Sequence, residues 1–286
     1  MTAIPPLTRL GSADLAAPVE VARLLAETVA AAGAIALGLF RSDLRTWNKQ
    51  NDSPVTEADI AVDRFLRAEL GALAPDYGWL SEESIDGPDR LARQRVWVVD
   101  PIDGTRAYLE GRADWAVSVA LVESGRPIVG VLFAPVTGEM MIAARGAGAT
   151  RNASPMVASA KPGLDQAAVS GPGFLLDRLA DVGLTRMPRV RSLALRLARV
   201  ATAELDVSLA SANSHDWDIA AADLLVHEAG GALTGYDGAV PVYNASVPRH
   251  GPLVCAGPHL HAPMLALIRD GIGVTRSLPN ADYRHP

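Results

Sequence analysis

Cysteine is nearly absent from this 286-residue chain: Cys255 stands alone, so no intramolecular disulfide can form and no cysteine cluster can hold zinc. That usage predicts a reducing, cytoplasmic setting, with Cys255 a small apolar residue inside Pro252-Leu253-Val254-Cys255-Ala256-Gly257. Aromatic residues are scarce at 5%, and 26 Lys and Arg are outweighed by 32 Asp and Glu. A net charge of −6 leaves neither a basic stripe for nucleic-acid backbones nor many platforms for stacking bases, so no polymeric nucleic acid is expected as a partner. Met1-Thr2-Ala3-Ile4-Pro5-Pro6 places no basic segment ahead of an apolar one, which predicts no secretory signal. Residues 19–40 are rich in Ala and Leu, yet Glu20, Arg23 and Glu27 interrupt them turn by turn. This suits an amphipathic helix of a soluble protein, and no membrane partner is expected.

Apolar side chains are plentiful, at 49% of residues, enough to bury a sizeable core without covalent staples. After the first helix, Trp47-Asn48-Lys49-Gln50-Asn51-Asp52-Ser53-Pro54 reads as a polar loop. A second helix follows with Ala58, Val62, Phe65, Leu66 and Leu70 at helical spacing, and Thr56 with Asp59 matches the capping-box pattern at its start. Residues 77–80 read as a short strand running into Ser81-Glu82-Glu83-Ser84, and 88–94 as a charged surface segment. Val96-Trp97-Val98-Val99 is too short for a helix and too β-branched for a loop. This strand breaks at Pro101 between two carboxylates, Asp100 and Asp103, with Gly104 and Thr105 directly behind. Two aspartates so close repel each other unless positive charge stands between them, and a divalent cation is the natural partner.

Residues 106–110 read as one helical turn, 115–122 and 128–133 as a hairpin, and 139–144 as a third antiparallel strand. Residues 146–155 and the Lys161-Pro162-Gly163 turn read as a boundary between an N-terminal α+β half, 1–155, and a C-terminal α/β half, 156–286. In the second half, strands at 167–170, 189–191 and 205–210 alternate with helices at 174–182 and 193–203, which predicts a separate α/β layer. Asp216-Trp217-Asp218-Ile219 opens a helix that Gly230-Gly231 stops, and a strand at 253–256 and a helix at 260–268 close the pattern.

In order and register, the Thr56/Asp59 pair, Glu82-Glu83, Asp100-Pro101-Ile102-Asp103-Gly104-Thr105 and Trp217-Asp218-Ile219-Ala220-Ala221 resemble the inositol monophosphatase-like family of metal-dependent phosphatases. The resemblance runs over about residues 19–268. It implies an α/β fold, the five-layer αβαβα sandwich of the inositol monophosphatase and fructose-1,6-bisphosphatase type, with the active site between the halves and most metal ligands in the first. It implies a phosphomonoesterase that uses about two or three Mg2+ ions, with Mn2+ as a substitute, and attacks directly with a metal-activated water. On that resemblance Asp100 bridges the ions, Glu82 and the Ile102 carbonyl complete one site, and Asp103 with Asp218 holds a second. Glu83 stands behind Glu82, and Thr105, hydrogen-bonded to Asp59, orients the attacking water. The amides of Gly104 and Thr105 would receive phosphate oxygens, and Lys49 either approaches them or is a solvated loop lysine.

Haloacid-dehalogenase phosphatases also set aspartates and Gly-Thr behind an apolar strand, as Asp-x-Asp-Gly-Thr. Here Pro101 occupies the position of their nucleophile, which predicts no phospho-enzyme. For the substrate, an inositol monophosphate is the first expectation, although Ser211 stands where enzymes acting on inositol phosphates carry an acidic residue. His215 has an inositol-branch character, whereas Arg196 in the Ser192-Leu193-Ala194-Leu195-Arg196 start resembles the 3'(2'),5'-bisphosphate nucleotidase branch, where a basic residue meets a second phosphate. Histidinol phosphatase is a further alternative, and a catalytically silent sugar-phosphate or protein binder is the non-enzyme one. The expected partner is a small phosphate ester, and a homodimer, common in the family, is left open.

Overall fold

A computed structural model describes residues 17–48 and 54–270, so Lys49 and residues 1–6 lie outside the described residues. In chain order come α1 (Pro18–Leu39), β1 (Thr46–Asn48), β2 (Pro54–Thr56), α2 (Glu57–Leu73), β3 (Gly78–Ser81), β4 (Arg95–Asp103), α3 (Thr105–Leu109), β5 (Ala116–Glu123) and β6 (Arg126–Ala134). Next are β7 (Glu139–Ala144), β8 (Ala149–Arg151), β9 (Ser154–Pro155), β10 (Ala168–Ser170), α4 (Gly173–Asp177), β11 (Thr185–Arg186), α5 (Leu193–Ala201) and β12 (Val207–Ala210). The last are β13 (Ser214–His215), α6 (Asp216–Glu228), β14 (Ala232–Gly235), β15 (Arg249–His250), β16 (Leu253–Ala256) and α7 (His261–Ile268).

Strands β3 to β9 lie side by side in sequence order as a seven-stranded sheet. Within this sheet, among the described residues, β3 and β4 pair in parallel and the other neighbours are antiparallel. From Val96 to Asp103 every residue of β4 is buried, which is why its apolar run is continuous instead of alternating: both faces of the sheet are covered. On one face α1 and α2 place Leu25, Val29, Leu66 and Leu70 against Trp97, Val99, Val119 and Leu121. By length and composition α1 is apolar enough to cross a membrane, but here its apolar side, including Val21, Leu24, Leu25 and Val29, is buried in this core.

The other face receives α5 and α6, whose Leu197, Ala221 and Leu225 share a core with Val98, Ala120 and Leu132 of the first sheet and with Leu253 and Cys255 of a second. That second sheet runs β11-β10-β12-β16-β14, and its far side packs Val169, Val207 and Val254 against Leu175 and Leu176 of α4 and Met264 and Ile268 of α7. Helices, sheet, helices, sheet, helices: the architecture is the five-layer αβαβα sandwich. The contact between α6 and the first sheet is close enough that a Cβ on Gly130 would stand 2.7 Å from the Ala221 carbonyl oxygen.

Four local expectations need correction. Residues 189–191 form no strand: the adjacent ladder stops at Thr185–Arg186, Pro188 has no amide to donate, and the Val190 carbonyl is taken by the Arg196 guanidinium at 3.2 Å. Residues 146–155 carry two strands that the sequence reading left out. Gly146 and Gly148 turn with φ of +75° and +80°, the Glu228 carboxylate accepts both their amides at 2.8 Å, and the chain returns as β8 and β9 at the sheet edge. The helix expected over 174–182 divides into α4 and a single 3-10 turn at Ala180–Val182. The charged 88–94 segment is anchored by Arg90, which is buried with its guanidinium on Asp86 and Asn244 at 2.6 and 2.7 Å.

Candidate active site

Strand β4 delivers the first acidic residues because its ladder fails at its end. Asp100 still pairs with Ser118 of β5 and Asp103 with Ala116, but the register shifts between them. Across the bulge the Ile102 amide folds back onto Asp100 Oδ1 at 3.0 Å. Gly104 then turns at φ +96°, where an added Cβ would meet the Asp114 carbonyl oxygen at 3.0 Å, so glycine is required on both counts. Helix α3 starts at once with Thr105.

Around this strand end opens a cleft of about 310 Å³ lined by Glu82, Asp100, Ile102, Asp103, Gly104, Thr105 and Asp218, together with Pro54, Arg106, Arg189 and Arg191. Asp100 and Asp103 share β4, and the other acidic residues arrive on other elements. Glu82 follows β3, its amide donating to the Val99 carbonyl at 3.2 Å. The turn that bears it is fastened from α2: Asp63 is buried and accepts Ser81 Oγ at 2.5 Å and Ser84 Oγ at 2.8 Å. Glu83 lies in the same turn, its amide donating to Ser81 Oγ at 3.3 Å, and is not among the lining residues.

Asp59 is fully enclosed at the start of α2. Its Oδ2 accepts the amide and hydroxyl of Thr56 at 2.8 and 2.6 Å, closing a capping box, while its Oδ1 accepts Thr105 Oγ1 at 3.3 Å. The Thr105 hydroxyl also lies 3.1 Å from the Ile102 carbonyl oxygen. Asp218 has the same place at the start of α6, where its Oδ2 accepts the His215 amide at 2.7 Å. Asp103 is held from α5: Ser192 Oγ and the Ala194 amide donate to Oδ2 at 2.5 and 2.6 Å, and the Leu193 amide to Oδ1 at 3.3 Å. The site is thus ringed by the N-termini of α2, α3, α5 and α6, whose unpaired amides and dipoles favour negative charge.

The acidic charge is nonetheless in excess. Burial, and then Glu82, Asp103, Asp218 and Asp59, push the Asp100 carboxyl well above the usual range. Burial and Asp218 raise Asp103 to about 7, against the hydrogen bonds from Ser192, Ala194 and Leu193. Among the described residues no three such side chains already close around one point, since Asp103 and Asp218 are turned onto the helix amides. The donors are all oxygens, from Glu82, Asp100, Asp103 and Asp218 with the Ile102 carbonyl nearby. Such a set fits a hard divalent cation, whose charge would relieve the repulsion.

Of the residues expected to choose the substrate, Arg196, Ser211 and His215 are not among those lining the cleft, although His215 adjoins Asp218. Arg196 does not reach the cleft: it is buried in α5 and donates to Ser208 Oγ and to the carbonyls of Val190 and Leu209 at 3.2 to 3.3 Å. Ser211 is exposed in the turn after β12. His215 stacks on Trp217 with ring centroids 4.5 Å apart and accepts Arg249 Nε at 3.0 Å. Sequence reasoning missed Asp63, Ser192, Arg189 and Arg191. A signal existed for the first two: Asp63 stands one helical turn after Asp59, and Ser192 precedes an apolar helix as an N-cap, accepting the Leu195 amide at 3.0 Å.

The profile of the inositol monophosphatase family matches residues 18–272. The chain belongs to that family. With it the chain is a phosphatase, as its relatives' names state. A histidinol-phosphatase of Mycobacterium tuberculosis is 36% identical over 248 residues, 80% of this chain and 90% of that protein. A 3'(2'),5'-bisphosphate nucleotidase of Salmonella typhimurium is 46% identical, but over 101 residues, 34% of this chain and 40% of its own. The solved structure of the Thermotoga maritima IMPase superposes with a TM-score of 0.77 at 26% identity, covering 87% of this chain and 97% of that one.

Proposed function

We propose that this family member is a Mg2+-dependent phosphomonoesterase that hydrolyses a small phosphorylated metabolite by direct attack of water. The observation that carries the reading is the convergence of Glu82 from the turn after β3, Asp100 and Asp103 from β4 and Asp218 from α6 on one cleft, with Thr105 on its wall and Asp59 behind Thr105. Magnesium bound there would neutralise the charge of a phosphate ester and make water acidic enough to lose a proton near neutral pH. Glu82, Asp100, Asp103, Asp218 and the Ile102 carbonyl would hold it.

The chain's own groups supply orientation and a proton path. With Asp59 Oδ2 saturated by Thr56, Oδ1 is left to accept from Thr105 Oγ1, whose lone pairs then face the cleft and can take a hydrogen bond from the attacking water. The amides of Gly104 and Thr105 open α3 toward the phosphate. Pro101 offers no nucleophile for a phospho-enzyme. An inositol monophosphate-type ester is the first substrate reading, and a bisphosphate nucleotide the second, favoured by the 46% identical stretch shared with the nucleotidase.

Release of phosphate from inositol 1-phosphate, 3'-phosphoadenosine 5'-phosphate, fructose 1,6-bisphosphate and histidinol phosphate, with and without magnesium, tests the reading. Activity is expected to require magnesium and to fall about a hundredfold or more in Asp100→Asn. Full activity of that variant in the presence of a chelator, or a trapped aspartyl-phosphate, would overturn the proposal.

A further inference from the structure

Three guanidinium groups share the cleft with the carboxylates: Arg106 on α3, and Arg189 and Arg191 on the segment leading into α5. The backbone between the last two is tied down on both sides. Arg196 holds the Val190 carbonyl from beneath at 3.2 Å. Asp114 Oδ2 accepts the Arg191 amide at 2.8 Å, and the Asp114 carbonyl accepts the Ser192 amide at 3.2 Å. The side chains, by contrast, are available. Arg189 makes no hydrogen bond or ion pair among the described residues. Arg191 reaches only Glu110 at 3.1 Å, in a pair whose side chains are 38% and 47% exposed and which is exchangeable with solvent.

Positive charge is therefore carried on a tied segment where Arg189 has no ion pair among the described residues and Arg191 has only the exposed Glu110. Burial first, and Arg189 next, push the Arg196 guanidinium down to about 10, a mark of how closely the cations crowd there. On the phosphomonoesterase reading, the phosphate to be cleaved would be received by the cation that the carboxylates hold and by the amides of Gly104 and Thr105, and does not need this pair. Guanidinium groups bind phosphate or carboxylate through paired N–H donors, and two of them at one cleft wall would repel an ammonium group.

We infer that Arg189 and Arg191 form a subsite for a second anionic group on the alcohol side of the substrate. Esters with another phosphate or a carboxylate are favoured over neutral-alcohol esters and over those bearing an amine. The inference rests on the phosphomonoesterase reading.

The test compares adenosine 3',5'-bisphosphate with adenosine 3'-monophosphate, 3-phosphoglycerate with glycerol 1-phosphate, and histidinol phosphate, in the wild type and in Arg189→Gln, Arg191→Gln and Arg189→Lys. In the wild type the bisphosphate is expected to exceed its monophosphate counterpart in kcat/KM by about tenfold or more, chiefly through KM. That ratio should fall toward one in the Gln variants and be partly kept in Arg189→Lys. A parallel preference for 3-phosphoglycerate identifies a general anion subsite; its absence narrows the subsite to phosphate. A ratio near one in the wild type, or one unchanged in both Gln variants, overturns the inference. Calorimetric binding of the same two adenosine ligands to wild type and Arg189→Gln separates the two proposals. If no ester is hydrolysed with magnesium, the phosphatase mechanism falls, while the binding comparison still decides the subsite.

Discussion

Asp59 divides its two oxygens between unrelated duties, the cap of α2 and the hydroxyl of Thr105. The sequence offered a cap and a catalytic partner as competing readings of this residue, and the geometry makes them compatible because one oxygen of the carboxylate points back to Thr56 while the other accepts the Thr105 hydroxyl. Glu82, Asp100, Asp103, Thr105 and Asp218 were all marked in the sequence by motif, since each follows an element boundary that is itself legible. Asp63 was not, because its role depends on two serines that reach it only after β3 lies beside α2. It is a positioning residue for the Glu82 turn. Asp63→Asn is expected to raise the magnesium concentration needed for half-maximal activity about tenfold while leaving the rate at saturating magnesium much closer to wild type. A magnesium titration of phosphate release measures this, and an unshifted midpoint would remove Asp63 from that role.

At the scale of elements, β7 and α5 are strapped by Glu139 and Arg199, with two bonds of 2.6 and 2.7 Å and both side chains 16% exposed. The Arg199 hydrogen bonds hold the Glu139 carboxyl down at about 2, below its ordinary 4.5. Because the folded-state value is depressed, its stabilisation is fully present above pH 4.5 and is lost as pH falls through about 2. Glu139→Gln should cost roughly 2 kcal/mol at pH 7, with a smaller gap to wild type at pH 3, measured by urea unfolding at both pH values. A gap that does not change with pH would mean the loss comes from packing instead. Strand reading succeeded where both sheet faces are buried and the apolar run is continuous, as at β4. It failed at residues 189–191, where alternation mimicked a strand although Pro188 and the captured Val190 carbonyl deny it a ladder. It also missed β8, which follows a turn made at Gly146 and Gly148 and adds one more antiparallel strand.

For the whole molecule, the site is assembled across the seam between the first sheet and α6: the sheet brings Asp100, Asp103 and Glu82, and α6 brings Asp218. The spacing of that seam is set where Gly130 meets the backbone of Ala221, with no room for a Cβ. Gly130→Val should therefore lower thermal stability by several degrees and raise the magnesium concentration needed for half-maximal activity together, because α6 must back away from the sheet. Gly71→Ala, open to solvent on α2, serves as the comparison and should be neutral or stabilising. Thermal melts and magnesium titrations of both variants check it, and a Gly130→Val protein that loses stability with an unshifted magnesium midpoint would show that α6 can adjust without carrying Asp218 out of place.

Helices α2, α5 and α6 each begin on a carboxylate of the site, Asp59, Asp103 and Asp218 respectively, so these three acids are part of how the chain folds. A descendant that abandoned hydrolysis would have reason to retain all three, since removing any would take one acceptor from a helix start. Asp100 is different: among the described residues it accepts only the amide two residues on while sitting among other carboxylates, so a chain freed from catalysis would gain by neutralising it. Decay of activity in chains of this build should therefore register first at the position of Asp100, with the helix-capping acids surviving as relics that look catalytic.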